Sequence, residues 1–485
     1  MNTSYRKIAQ LRTVDDLKSR LVELNIDFPC DPEILSAEQG SPMAQTLRIG
    51  KLTVGNRWCI HPMEGWDANP DGSPSSWTLR RWQRFGESGA KLIWGGEAAA
   101  VRPDGRANPN QTLALASNKD GLERLRQTLV TAHVATTGDD SGLVLGLQLT
   151  HSGRFCRPRD KQRFEPRIAY HHPLLDVRFG IRPEDDSVVW TDSQLDDLVG
   201  DYVRAAELAQ ECGYHFVDIK ACHGYLLHEF LSAHTRPGKY GGDYVGRTRL
   251  LRTIIHEVRR VCPELLIGVR LSLFDSLPYE GGQEPGHPAA WDADAPYVAA
   301  FGCNPDNPIE FDLSEPLLLI GDLVAEGMTL LNLTAGSPYY TPHLQRPAIF
   351  PPSDGYLPPE DPLVGVARHI NVTATCKQHF PDLAIVGSGY TYLQDYLPHV
   401  AQATVRSGMV DAVGLGRMVL SYPQLPHDTL SGRPWQRKMV CRTFSECTTA
   451  PRNGLISGCY PLDEAYKQLP ERQQLIQIKK RMESR

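Results

Sequence analysis

Phe216-Val217-Asp218-Ile219-Lys220-Ala221-Cys222 is a short, nearly continuous apolar run that carries two charged residues. Such runs are typical of strands in a parallel sheet that is covered on both faces. Seven similar runs flank it along the chain: Arg57–Pro62, Lys91–Glu97, Leu143–His151, Leu266–Ser272, Leu330–Gly336, Leu383–Gly389 and Ala412–Arg417. The sequence therefore predicts eight buried strands.

Longer amphipathic stretches separate these runs. The clearest predicted helices are Ser76–Ser88, Leu195–Cys212, Val245–Val261 and Leu363–His379. Eight strands that alternate with helices predict an α/β fold, namely a (β/α)8 TIM barrel. A doubly wound open sheet is the alternative. The count of eight, and the lack of a G-x-G-x-x-G turn after the first strand, favour the barrel.

The chain divides into three predicted parts. Residues 1–45 form an N-terminal extension with one helix at Val14–Leu24, residues 46–430 form the barrel, and residues 431–485 form a C-terminal extension. Two long insertions, Ser152–Asp192 and Asp275–Glu315, follow the third and fifth strands. Both should lie at the C-terminal face of the barrel, where such folds keep their active sites.

Composition excludes several classes of protein. The chain has 485 residues and a net charge of −6, from 51 Lys and Arg against 57 Asp and Glu, which argues against nucleic-acid binding. It has no apolar run of about 18 residues, which predicts no membrane span, and its polar start shows no signal peptide. Eleven scattered cysteines indicate reduced thiols, so we expect a cytoplasmic protein.

Polar residues collect where the predicted strands end. Gly387-Ser388-Gly389 and Gly416-Arg417 end the last two strands, where barrels of this kind commonly bind phosphate, although glycines there can also be simple tight turns. Lys220, His223 and Tyr225 end the fourth strand. They are either reactive groups or a surface lysine, a hydrogen-bonded histidine and a packed ring. Arg270, inside a buried strand, needs an acceptor or an anion.

One string of residues is highly specific. His223-Gly224-Tyr225-Leu226-Leu227-His228-Glu229-Phe230-Leu231-Ser232 is followed by Arg236, Tyr240-Gly241-Gly242 and Arg247. In this string the chain resembles the Old Yellow Enzyme family of NADH:flavin oxidoreductases. Within that family it is similar to the larger-chain branch related to 2,4-dienoyl-CoA reductases. The resemblance covers roughly residues 45–425.

The resemblance implies FMN as cofactor, bound by the barrel at residues 46–430, with NADH or NADPH as electron donor. It implies that Pro62, Met63 and Ala98 offer backbone groups to the flavin ring. Gln148 matches the amide at the pyrimidine edge of the ring, and Arg270 matches the cation near N1 and O2. The phosphate would be held by the remaining matched residues: Gly387, Ser388, Gly389, Gly416 and Arg417.

The resemblance also implies four catalytic residues. Tyr225 matches the proton donor of the family, and Lys220 and His223 match the pair that holds the oxygen of the substrate. Lys220 departs from the usual histidine, and Glu64 stands where relatives often carry cysteine or threonine near the flavin. We expect Glu64 to pair with Lys220, which would neutralise both charges.

The tail departs from the related branch. That branch carries a C-x2-C-x3-C motif and a fourth cysteine for an iron–sulfur cluster, whereas this chain has Cys441, Cys447 and Cys459, with Phe444 where a second ligand would fall. Three thiols at this spacing do not supply a four-ligand site, so we expect neither an iron–sulfur cluster nor another metal site. With 485 residues, we also expect none of the further flavin- and nucleotide-binding domains of that branch.

The expected reaction is the reduction of an activated C=C bond, driven by NAD(P)H through the flavin, with Tyr225 as the proton donor. Two alternatives stay open: a flavin-dependent dehydrogenase or demethylase of an amine or alcohol, and a non-catalytic flavin-binding protein. The expected partner is a small-molecule substrate of unknown identity, without nucleic acid or membrane. A homo-oligomer is possible, in which Arg442 or Arg452 of the tail would reach a neighbouring site.

Overall fold

The computed structural model describes residues 5–282, 284–292 and 294–483. Its centre is a ring of parallel strands, which we number β1 to β8 in chain order. Their bounds are Trp58–Ile60, Leu92–Ile93, Val144–Thr150, Phe216–Ala221, Leu266–Ser272, Leu330–Thr334, Ala384–Gly387 and Ala412–Leu415. Each lies inside one of the eight runs predicted from the sequence, which confirms the strand count.

The ring is closed. β1 pairs with β8, where Trp58 lies opposite Val413, and β2 pairs with β3, where Leu92 lies opposite Val144. β1 also pairs with β2, where Cys59 lies opposite Leu92, and the remaining strands pair in sequence order from β3 to β8. A closed ring leaves no edge between the first and last strands, so the barrel is confirmed and the open sheet is wrong.

The second strand is shorter than the predicted run Lys91–Glu97 because two glycines interrupt it. Gly95 and Gly96 have φ values of +134° and +45°, which other residues rarely adopt. A side chain at Gly95 would also lie 2.6 Å from the backbone nitrogen of Gln148. The chain then rejoins β3 as the segment Ala98–Ala100.

Helices surround the ring. Their bounds are Ser76–Gly86, Lys119–Thr137, Asp192–Glu211, Tyr244–Val261, Ser314–Glu326, Pro362–His379, Leu397–Arg406 and Leu425–Leu430. All four helices predicted from the sequence are among them. Side-chain caps fix several starts: Thr191 accepts a hydrogen bond from the backbone of Gln194, and Asp243 accepts one from that of Gly246.

The amino-terminal end of the barrel is closed by a hairpin, Leu47–Ile49 paired with Leu52–Val54. Its buried side chains pack with Trp94 and Phe216 inside the ring. The Phe216 ring fills the space beside Gly146, where a Cβ atom would lie 2.3 Å from it. With this end filled, a ligand can enter only at the carboxyl ends of the strands.

The insertion after β3 is fastened by a buried arginine. Arg154, only 1% exposed, donates from Nε to Glu229 over 2.9 Å and also pairs with Asp176. Glu229 belongs to the short helix Leu226–Phe230 that follows β4, so the ion pairs join two neighbouring loops. The insertion after β5 forms small hairpins: Tyr279–Glu280 with His287–Pro288, and Cys303–Asn304 with Asn307–Phe311.

The two ends of the chain pack against the barrel. The N-terminal helix is Val14–Glu23, and the tail contains Glu446–Arg452, Glu464–Lys467 and Glu471–Glu483. Arg80 donates two hydrogen bonds of 2.9 Å to Asp463, which fixes the tail to the helix Ser76–Gly86. Among the described residues, no helix is long and apolar enough to span a membrane.

Candidate functional site

A cavity of about 210 Å³ opens at the carboxyl ends of the strands. Most of the residues predicted from the sequence line it: Pro62, Met63, Glu64, Gln148, Lys220, His223, Tyr225, Arg270, Ser388, Gly389, Gly416 and Arg417. They come from six of the eight strands or from the loops that follow them, and the closed ring brings them to one rim.

Two predicted cofactor residues, Ala98 and Gly387, do not line this cavity. Ala98 lies opposite Gln148 in the sheet, and its carbonyl accepts a hydrogen bond of 2.8 Å from the side chain of Gln111. Gly387 lies within β7, paired with Val413. Their contact with a flavin stays a prediction.

The loop after β1, which carries Met63 and Glu64, is held by a buried charge cluster. Arg81 contacts Asp67 and Glu97, both at 2.5 Å, and Glu97 accepts a hydrogen bond of 3.2 Å from the backbone of Gly65. Burial raises the pKa of Glu97 to about 7. This cluster fixes the backbone on which Glu64 is placed.

Glu64 is the centre of a polar triad with Lys220 and Tyr225. The Lys220 ammonium lies 3.3 Å from Glu64 Oε2, which confirms the expected pairing. The Tyr225 hydroxyl donates to the same oxygen over 3.2 Å, and Trp66 Nε1 donates to Oε1 over 2.9 Å. Because the Lys220 side chain is only 4% exposed, its ion pair with Glu64 is largely shielded from water.

Tyr225 is held as a neutral phenol. Burial, then the charges of Glu64 and Tyr339, raise its pKa well above the usual value of 10. Its hydroxyl lies 3.1 Å from that of Tyr339, whose ring stacks on Phe155 with centroids 3.9 Å apart. Phe155 comes from the insertion after β3, so that insertion supports the phenol.

His223 leaves the strand by an unusual backbone conformation. Its φ is +66°, and its backbone is held by Ser272 Oγ at 3.0 Å and by Ser337 Oγ at 2.9 Å. Burial, then Arg270 and Lys220, hold the pKa of its imidazole well below 6.5. His223 is therefore neutral at pH 7 and lines the same cavity as Lys220.

Gln148 and Arg270 are fixed by a common partner, Asp218. Gln148 Nε2 donates to Asp218 over 2.5 Å, and the backbone nitrogen of Arg270 donates to its other oxygen over 2.6 Å. This bond orients the Gln148 amide so that its carbonyl oxygen can accept from a donor. Arg270 forms no ion pair within the described part of the chain, and its Nε is buried without a hydrogen-bond partner there.

A further group of hydrogen-bonded polar side chains, which was not predicted from the sequence, lies in the cavity wall. His61 contacts Asn332 at 3.0 Å and Ser388 Oγ at 3.1 Å. Gly414 makes room for it, since a Cβ there would lie 2.0 Å from the imidazole. His61 was visible at the end of the first run, but its partners lie on β6 and in the loop after β7.

Two arginines stand together on the wall. Arg417 donates to the carbonyl of Pro347 over 3.1 Å, and Arg346 donates to the hydroxyl of Thr448. Among the residues described, neither pairs with a carboxylate, and Arg417 Nη1 and Arg346 Nη2 are buried without a partner. Burial, then Arg452 and Arg417, lower the pKa of Arg346 to about 9. Such uncompensated cations favour an anionic ligand.

The tail completes the wall of its own barrel. Cys447, Thr448, Pro451 and Arg452 all line the cavity. Arg452 lies over the Tyr339 ring, 4.9 Å from the centroid, and pairs with Asp354. Arg452 therefore lies in the site of its own chain, and Arg442 pairs with Asp395 at 2.5 Å, while a contact of either with a neighbouring molecule stays a prediction.

The three tail cysteines border one small pocket. Burial raises the pKa of Cys441 to about 11, so its thiol stays protonated. Over residues 5–282, 284–292 and 294–482, no group of three or more His, Cys, Asp or Glu side chains is placed to hold a metal ion.

The sequence of this chain is similar to those of known oxidoreductases. The model of the NADH:flavin oxidoreductase / NADH oxidase family matches residues 43–288. An NADPH dehydrogenase of Bacillus subtilis is 29% identical over 236 residues, which is 47% of this chain and 63% of that protein. An NADH:flavin oxidoreductase of Gibberella zeae is 28% identical over 278 residues, 54% of this chain and 64% of that protein. The chain thus spans less than two thirds of each relative.

Solved structures share the fold. Morphinone reductase in complex with tetrahydroNAD superposes with a TM-score of 0.55 at 20% identity, over 81% of this chain and 92% of that one. A 2-naphthoyl-CoA reductase in complex with 2-naphthoyl-CoA gives a TM-score of 0.63 at 17% identity, over 88% of this chain and 57% of that one. At these identities the likeness concerns the barrel.

Proposed function

Because the chain belongs to the NADH:flavin oxidoreductase / NADH oxidase family, the Old Yellow Enzyme family, we propose that it reduces activated C=C bonds at the expense of NADH or NADPH. The family cofactor is FMN. The observation that carries the proposal is the neutral phenol of Tyr225, which shares one cavity with Lys220, His223 and Arg270.

The residues present fit FMN. Arg270 is a buried cation without a carboxylate partner in the described chain, which suits the electron-rich pyrimidine edge of a flavin. Gln148 would pair with that edge, while Pro62 and Met63 would offer backbone groups. Ser388, Gly389, Gly416 and Arg417 would hold the phosphate, and Arg346 adds a second cation to them.

Bound FMN supplies the two-electron chemistry, taking electrons from NAD(P)H and passing them to the substrate. The chain binds and polarises the substrate. Lys220 and His223 would hold the oxygen of an enone: Lys220 as a cation and His223 as a neutral hydrogen-bond donor. Drawing electron density toward that oxygen makes the far carbon of the double bond electrophilic.

Tyr225 would then protonate the α-carbon. Its hydroxyl is kept protonated by burial, and Glu64 accepts its hydrogen bond in the resting site. Lys220 lies over the Tyr225 ring, 3.7 Å from the centroid, so the cation favours the phenolate that remains after proton transfer. The Tyr339 hydroxyl lies 3.1 Å from that of Tyr225 and can return a proton to this phenolate.

The test separates the two half-reactions. Tyr225→Phe should leave flavin reduction by NAD(P)H unchanged and slow the oxidation of reduced flavin by 2-cyclohexenone by roughly 100-fold, the usual weight of a general acid. Stopped-flow absorbance of the flavin follows both steps without oxygen. Tyr202→Phe is the matched control, because that phenol is buried behind the barrel wall and does not line the cavity.

Two results would contradict the proposal. If NADH and NADPH leave the flavin oxidised while an amine or alcohol bleaches it, the protein is a dehydrogenase of that donor. If Tyr225→Phe reduces 2-cyclohexenone at the wild-type rate, Tyr225 is not the proton donor.

A further inference from the structure

Lys220 is the only lysine among the described residues that line the cavity at the strand ends. It belongs to β4, where it lies opposite Arg270 of β5, and its side chain is only 4% exposed. In the described part of the chain its ammonium has one hydrogen-bond partner, Glu64 Oε2 at 3.3 Å. Because an ammonium has three N–H groups, two of them are available to a ligand in the cavity.

Glu64 accepts hydrogen bonds from this amine and from two other donors. Its Oε2 also accepts from the Tyr225 hydroxyl over 3.2 Å, and its Oε1 accepts from Trp66 Nε1 over 2.9 Å. A carboxylate within hydrogen-bond reach of an amine can take a proton from it while the nitrogen attacks a carbonyl carbon. Burial favours this transfer, because it neutralises two charges that are largely shielded from water.

The same three chemical groups also meet on the surface of the protein. Lys239 Nζ lies 2.6 Å from Asp196 and 5.0 Å from the centroid of the Tyr240 ring. This lysine is 47% exposed and does not line the cavity. Burial beside a cavity that admits a ligand therefore distinguishes Lys220, and Lys239 is its matched control.

We propose that Lys220 binds the substrate covalently: its Nζ condenses with the carbonyl group of an α,β-unsaturated aldehyde or ketone and forms an iminium ion. Only the later reduction of the double bond rests on the proposed function. The substrate class is thereby narrowed, because nitroalkenes and esters do not form iminium ions with lysine. The positive charge of an iminium ion is conjugated with the double bond, so the far carbon becomes more electrophilic than in the parent carbonyl compound.

The condensation needs no oxidant or reductant. Lys220 first holds the carbonyl oxygen by a hydrogen bond, and its Nζ then forms a bond to the carbonyl carbon while a proton passes to Glu64. The oxygen gains two protons, as many as the nitrogen has lost, and leaves as water while the C=N bond forms. The total charge is the same before and after. Addition of water reverses the step and releases the product and the free lysine.

Trapping tests the covalent step without turnover. The oxidised, FMN-loaded full-length protein is incubated with 3-phenylpropanal and sodium cyanoborohydride, which reduces iminium ions to stable amines. Peptide mapping by mass spectrometry should find a 3-phenylpropyl group on Lys220 well before one appears on Lys239. The saturated aldehyde is used because it has no double bond to which the thiol of Cys447, in the same cavity, could add.

Variants separate the amine from its charge. Lys220→Arg keeps a cation but cannot form an iminium ion, so labelling at this position should be lost. Glu64→Gln removes the proton acceptor and should slow the labelling of Lys220 by roughly 100-fold. Lys239→Arg should be labelled at Lys220 like the wild type. The absorbance of bound FMN reports that each variant is folded, and the labelling of the wild type is informative even if a variant is not.

Turnover then tests the substrate class. With NADH or NADPH, Lys220→Arg should slow the reduction of cinnamaldehyde by a larger factor than that of β-nitrostyrene, which has the same ring and double bond but no carbonyl group. The proposal is overturned if both rates fall by the same factor, or if the wild type is labelled at Lys220 no faster than at Lys239. If Lys220 is labelled while neither alkene is reduced, the proposed function fails and the covalent role of the lysine stands.

Discussion

The ammonium of Lys220 lies 3.7 Å from the centroid of the Tyr225 ring and 3.3 Å from the carboxylate of Glu64. One buried cation therefore contacts both the ring of a phenol and a carboxylate. Because burial and the charges of Glu64 and Tyr339 raise the pKa of Tyr225, the phenol keeps its proton, and the ion pair of the triad joins Lys220 and Glu64.

Removing the cation should destabilise the protein. Lys220→Met leaves Glu64 unpaired at a site where its side chain is 15% exposed, and it should lower the free energy of unfolding by about 3 kcal/mol. The double variant Lys220→Met with Glu64→Gln should regain most of this loss, because no charge stays behind. Urea unfolding with saturating FMN measures both. A double variant as unstable as the single one would show that the pair is not coupled.

Arg346 should contribute to phosphate binding. Arg346→Gln should weaken FMN by roughly 10- to 100-fold, because it removes a charge-assisted hydrogen bond, and should leave riboflavin, which has no phosphate, unaffected. Quenching of flavin fluorescence during titration of the apoprotein gives both constants. Arg442→Gln is the control, since that tail arginine pairs with Asp395 away from the cavity. An equal loss of riboflavin affinity would contradict a phosphate contact.

His228 should make the fold sensitive to acid. Burial lowers its pKa to about 4, below the 6.5 of the unfolded chain, so stability is fully present above pH 6.5 and is lost as the pH falls toward 4. His228→Asn keeps an acceptor for the backbone of Gly224, at 3.0 Å in the native protein, and removes the titration. Between pH 6.5 and 5 the variant should lose about 2 kcal/mol less than the wild type. Urea midpoints at several pH values test this, and parallel curves would refute it.

Two glycines of one strand end should respond differently to alanine. Gly414→Ala places a Cβ 2.0 Å from the His61 imidazole, whereas Gly416→Ala places one 3.4 Å from Met63 Sδ, an ordinary contact. We expect Gly414→Ala to lower apoprotein stability by about 1–3 kcal/mol more than Gly416→Ala. Thermal unfolding of both variants compares them. Equal values would mean that His61 moves away at no cost.

The part of the site that lies on strands could be predicted from the sequence. Gln148 and Arg270 sit within runs whose carboxyl ends must meet at one rim, so their meeting follows from the barrel. The position of Ala98 could not be derived from its run alone, because the glycine break at Gly95 and Gly96 lets the chain turn, and its carbonyl accepts a hydrogen bond from Gln111. A break of this kind depends on φ values that an apolar run does not reveal.

The remaining wall could not be predicted, because it depends on contacts between distant loops. Arg346 lies in the loop after β6 and Arg452 in the tail, both in segments without hydrophobic periodicity, and they come together at the cavity only when the tail packs on the barrel. His223 required a left-handed backbone, which Ser272 and Ser337 hold through its amide and carbonyl. Such support is formed by tertiary structure and leaves no local pattern.

The position of Thr448 and Arg452 after the last barrel strand has a consequence for biosynthesis. During translation, all eight strands leave the ribosome before the segment that finishes the substrate wall. The strand ends proposed to hold FMN therefore emerge before the final helices that complete the wall of the cavity.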